Sequence, residues 1–110
     1  MESLLRNIQY GLMDYIEGDD DPDYNVEDVD ACIKLLIDFH HLVQSKGRNL
    51  DEALVLVRDL VLALNDLNLK CDECLIETDQ REQICEFIFR VLDDANILFD
   101  GDVTEEWRAW

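Results

Sequence analysis

Alternating carboxylates are the first pattern along the chain whose spacing suggests chemistry. Asp19, Asp21, Asp23, Asn25, Glu27 and Asp30 fall at the ligand positions of a calcium-binding loop, with Val26 in the usual apolar eighth position. Such spacing works because alternate side chains converge their oxygens on one hard cation. Three features depart from it. Tyr24 stands at the sixth position, where the sharp turn wants glycine, and Asp30 is one methylene shorter than the bidentate glutamate of the twelfth. Pro22 lies inside the loop, and no second loop pairs with this one. The expectation is a solvated acidic run, with no metal and no other cofactor.

The thiols and imidazoles point the same way. Cys71-Asp72-Glu73-Cys74 is a lone CxxC, whereas a zinc site needs four ligands and a redox pair wants a thioredoxin-like βαβ setting. Cys32 and Cys85 fall near the starts of two other helical segments, so all four cysteines are expected toward one end of the molecule. Cys32 lies on an inner stripe and Cys85 beside it, where reduced cysteine behaves as a small hydrophobe. Two buried thiols and two loop thiols are therefore expected. His40 and His41 are adjacent, so on a helix they point about 100° apart and cannot share a metal. His40 is placed inward and His41 toward solvent. No nucleophile–base arrangement results, no catalytic residue is assigned, and the chain reads as a non-enzyme.

The elements that carry these residues follow from 3.6-residue periodicity. The first segment, residues 2–17, aligns Leu4, Leu5, Ile8, Leu12, Tyr15 and Ile16, and ends at Gly18 and the aspartate run. The second, residues 26–46, aligns Val29, Cys32, Ile33, Leu36, Ile37, His40 and Val43, with Gly47 placed as its C-terminal cap. The third follows Asn49, a good N-cap, and aligns Leu50, Ala53, Leu54, Val57, Leu60, Val61, Leu64 and Leu67. The fourth begins after Thr78 or Asp79, where Asp79 to Glu82 has capping-box spacing, and presents Ile84, Phe87, Ile88, Val91, Leu92 and Ala95. Beyond it, Thr104-Glu105-Glu106-Trp107 is placed as a tail or a short terminal helix. The fold class is all-α: an antiparallel four-helix bundle with a short C-terminal tail or terminal helix. Helix two carries Leu35, Phe39 and Leu42 off its main stripe, and helix three carries Val55, Leu56 and Leu62. Either the tail (Phe99, Trp107, Trp110) or a second subunit covers these extra faces, making a homodimer through helices two and three the alternative to tail docking.

At 110 residues the chain fits one domain, residues 1–110, and its hydrophobic content of 48% suffices for a core, which argues against disorder. The formal net charge of −18 repels nucleic acid and anionic membrane surfaces and attracts basic proteins. The longest apolar stretches, residues 54–57 and 60–64, are split by Arg58-Asp59 and are too short to span a bilayer. Four cysteines without a signal-peptide pattern at the N-terminus suggest reduced thiols and a cytoplasmic location.

The charge is unevenly spread. Residues 1–30 hold ten acids and one base, residues 31–71 five of each, and residues 72–110 twelve acids and three bases. In an antiparallel bundle the first and third connections share an end. That end then collects Glu17, Asp19, Asp20, Asp21, Asp23, Glu27, Asp28 and Asp30 from the first. The third contributes Asp66, Asp72, Glu73, Glu77, Asp79 and Glu82. The opposite connection, Lys46-Gly47-Arg48, is basic. Acids at helix N-termini complement the dipole, but that accounts for only part of the cluster. In general character the chain is similar to small acidic helical bundles that neutralise basic toxins, such as bacterial nuclease-colicin immunity proteins; the likeness is architectural and electrostatic and carries over no residues. The expected function is an inhibitor or immunity-type protein docking a basic protein partner through Asp19, Asp20, Asp21, Asp23, Glu27, Asp28, Asp72, Glu73 and Glu77. The alternatives are a dimeric acidic chaperone or adaptor, and a domain responding to calcium or zinc.

Overall fold

The computed structural model describes residues 2–18, 22, 24–46 and 49–110. Its helices are α1 (Glu2–Glu17), α2 (Val26–Lys46), α3 (Leu50–Lys70) and α4 (Thr78–Asp94), and no strand occurs among the described residues. The first three match the periodic segments. Asn49 caps α3 as expected, its side-chain oxygen accepting from the Glu52 amide at 2.9 Å. Gly47 and Arg48, placed as cap and basic connection, lie outside the described residues.

Fully buried apolar side chains from all four helices form one core, among them Leu12, Leu36, Leu64 and Phe87. Each such side chain contributes about 1.5–3 kcal/mol relative to exposure. The inward face of α2 is turned relative to the expected stripe. Phe39, read as off the stripe, is buried, while Ile37 is exposed. The reason is that α2 packs most extensively on α3, more than on α1 or α4, so the α3 side of its stripe is the one covered.

α2 lies between α1 and α3, and α4 packs on α1 and diagonally on α2. The space between α3 and α4 is bridged by the C-terminal tail. Asn65 of α3 donates to the Trp107 carbonyl at 2.7 Å and accepts from the Ala109 amide at 3.0 Å. On the α4 side, Arg108 Nη1 lies 3.2 Å from Cys85 Sγ and 3.0 Å from Asp102 Oδ2, and its guanidinium sits over the Trp110 ring. Thr104 is buried, donating its hydroxyl to Asp102 Oδ1 at 2.6 Å, and Phe99 packs on Phe89. Residues 104–108 make a single turn rather than a terminal helix. Tail docking therefore occurs, but over the α3–α4 gap. On the outer face of α2 and α3, Leu42, Val55 and Leu62 are covered by no described residue and are exposed.

Candidate functional site

The connections α1–α2 and α3–α4 meet at one end, and Tyr24 joins them. Its ring is 4% exposed and stacks on Tyr15 of α1 with centroids 5.0 Å apart, and its hydroxyl donates to the Leu12 carbonyl at 2.9 Å. Burial, then the neighbouring Tyr15 and the Glu77 carboxylate, push its hydroxyl well above the usual tyrosine range. The residue at the glycine position of the calcium-loop register is thus an anchor in the core. Asn25 and Asp28 are likewise committed. The Asp28 amide donates to Asn25 Oδ1 and the Asn25 amide to Asp28 Oδ2, each at 3.1 Å, a reciprocal cap that starts α2.

Asp28 is 7% exposed and also receives Lys70 Nζ, at 3.2 Å, from the end of α3. Burial raises its carboxyl pKa, but the Asn25 amide and Lys70 outweigh it and leave it below the usual carboxylate value. Predicted as a partner-binding residue, Asp28 is instead placed inside the molecule, tying α2 to α3. The spacing Asn25-x-x-Asp28 was the signal for this role.

The α3–α4 connection is built around Asn68. The Glu73 amide returns to the Asn68 carbonyl at 2.8 Å and the Asp72 amide to the Leu69 carbonyl at 3.1 Å, the paired bonds of a Schellman motif. Asp72 and Glu73 both hold positive φ, 56° and 61°, a region where glycine is easiest and where asparagine and aspartate are tolerated better than glutamate. Buried Asn68 accepts the Ile76 amide at 2.9 Å through its side chain. That role is missed by reading the α3 stripe as apolar only; a polar residue four positions after Leu64 was its trace. With Leu75 and Ile76 buried, α4 starts early, at Thr78 with Glu77 as N-cap, and the Asp79–Glu82 capping box expected there is superseded.

Around this end, Glu17, Glu27, Asp30, Asp72, Glu73, Glu77 and Asp79 are exposed, and among the described residues none of them forms an ion pair. Glu77, Asp79 and Gln80 border a cleft of about 210 Å³ whose wall is the Tyr15–Tyr24 stack. Asp19, Asp20, Asp21 and Asp23 lie outside the described residues. Two of these carboxylates, Glu77 and Asp79, thus border an aromatic-walled cleft.

The cysteines divide differently from the expected two and two. Cys71 is buried with Cys32 and Cys85, because the turn after α3 folds back over Asn68; Cys74 is half-buried. Burial pushes the Cys32 thiol up to about 12 and Cys71 up to about 11, the latter aided by Asp28. Both stay protonated at neutral pH, so neither offers a thiolate. Cys85 is beside the tail rather than with the other three. Among the described residues no three potential ligands come together to hold a metal ion. His40 is half-buried in a T-shaped contact with Phe87; burial, then the neighbouring His41, lowers its basicity, and His41 is exposed.

No helix among the described residues is long and apolar enough to cross a membrane. The chain matches no protein-family model, and comparison with curated proteins and with solved structures finds no significant similarity.

Proposed function

We propose that the chain is a cytoplasmic protein-binding module of the inhibitor or immunity type, which docks a basic protein through its acidic end. The observation that carries this reading is the convergence there of exposed carboxylates from two connections far apart in sequence, Glu17 and Glu27 with Asp72, Glu73 and Glu77, without ion pairs among the described residues. Crowded like charges raise the energy of the free molecule, and a cationic surface relieves it. Two of these carboxylates, Asp72 and Glu73, are held in a backbone region where glycine is easier, the kind of local strain that concentrates at binding sites. Of the nine residues assigned to the partner, Asp28 drops out, because it is enclosed between Asn25 and Lys70.

Capture from the source lysate at low salt, with elution by a salt gradient and identification by mass spectrometry, tests the reading. A stoichiometric basic protein released at moderate salt is expected, since steered complexes are steeply salt-dependent. Recovery of the bait alone contradicts it.

A further inference from the structure

Cys71 and Cys74 are the two ends of one turn. The Cys74 amide donates to the Cys71 carbonyl at 3.1 Å, and the residues between them, Asp72 and Glu73, both hold positive φ. A turn closed by that bond sets its outer Cα atoms less than about 7 Å apart, and a disulfide spans about 4.4–6.8 Å. Both cysteines also neighbour Tyr24. Cys74 borders the cleft beside the Tyr24 ring, and Cys71 is near enough to act on the Tyr24 hydroxyl. The other two cysteines are placed differently. Cys32 is fully buried on α2, and Cys85 is held under the tail by Thr104 and Arg108.

The pair divides the work of thiol–disulfide exchange. Cys74 is half-buried and borders the cleft, so a small disulfide reaches it first. Cys71 is 1% exposed, out of reach of such a molecule but beside Cys74 across the turn. We propose that Cys71 and Cys74 are a redox-active dithiol, in which Cys74 takes the oxidant and Cys71 resolves it. The oxidant is a low-molecular-weight disulfide of the glutathione class. Cys74, as thiolate, attacks one of its sulfurs, and the electron pair of the broken bond leaves on the other as a thiolate. Cys71 then loses its proton to solvent, attacks the Cys74 sulfur and expels the second small thiolate. Two cysteines are oxidised to one disulfide, and the small disulfide is reduced to two thiols. The ring so closed encloses Asp72 and Glu73, two exposed carboxylates of the acidic end. It also removes a hydrogen bond, since the Cys71 thiol of the reduced chain donates to the Asp28 carboxylate. That bond favours the dithiol, so the disulfide forms under an oxidising poise and is readily reduced.

The proposal does not rest on the acidic-end reading. To test it, the folded full chain, freed of reductant, is incubated with oxidised glutathione, then unfolded, alkylated and read by intact mass and peptide mapping. The expected product has lost two hydrogens and carries no glutathione, with its bridge between Cys71 and Cys74 and with Cys32 and Cys85 both alkylated. Excess reduced glutathione should restore the two lost thiols. Cys71→Ser, which keeps a donor for Asp28, should instead retain one glutathione on Cys74, because the resolving thiol is gone. A glutathione that persists on Cys74 of the unchanged chain overturns the proposal. So does a chain whose four cysteines are all still alkylated, or a bridge between any other pair.

Discussion

Asp28 does at the scale of one residue what its acidic neighbours do not: it is spent on the fold. It caps α2 through Asn25 and receives Lys70. Asp28→Ala should lower unfolding stability by about 1–2 kcal/mol, most of it from the lost cap, since Lys70 is largely exposed and its ion pair adds little. Its folded carboxyl sits below the ordinary value of 3.8. The contribution is therefore present above about pH 4 and is lost as pH falls through the lower folded value. Urea midpoints of the two proteins should differ at pH 7, still differ at pH 5, and converge below pH 3.8. A gap that closes above pH 5 contradicts the assignment. Asp72 is the opposite case. At φ 56° its side chain opposes the backbone, so Asp72→Gly should raise stability by about 0.5–1 kcal/mol at unchanged denaturant slope. A loss instead means that the carboxylate holds the turn. At this scale the sequence was only half readable. Asn25 reads as a cation ligand in the sequence but is a helix cap, and Asn68 shows only as a polar residue on an apolar stripe, because a cap and a buried amide are defined by what folds back onto them; Ile76 reaches Asn68 only through the completed turn.

Among the elements, the helices were readable where one face dominates and less so where two faces compete. α1 shows its apolar stripe plainly; on α3 the stripe holds from Ala53 to Leu64, but Leu50, placed on it, is exposed at the first turn. The two sides of α2 are apolar enough that periodicity alone did not decide between Phe39 and Ile37; packing on α3 did. The start of α4 moved for a different reason, since Leu75 and Ile76 go into the core and force the helix to begin directly after them. For the tail, both docking and dimerisation bury aromatic surface, and the deciding element was polar: Asn65 clamps the backbone on both sides of Arg108. Asn65→Ala should release it at a cost of about 1–2 kcal/mol. Trp107 and Trp110 are the two tryptophans of the chain, so intrinsic emission reports tail docking alone. A red shift without loss of helix is expected, and unchanged emission contradicts the clamp.

For the whole molecule, charge is the dominant fact. A net charge of −18 on 110 residues repels itself within the fold, so added salt should raise the melting temperature, by about 4–8 °C for each kcal/mol of repulsion screened. A melting temperature independent of salt would mean that the carboxylates are better compensated than the ion pairs show. The proposed role of the exposed carboxylates of the acidic end is to dock a basic partner. The most direct test is the association rate with the captured partner, measured at low and high salt for the unchanged chain and for a variant carrying Asp72→Lys, Glu73→Lys and Glu77→Lys. The account predicts a rate that falls about tenfold or more with salt, and a similar fall at low salt in the variant. A rate indifferent to both salt and charge reversal would contradict it and place the interface elsewhere on the bundle.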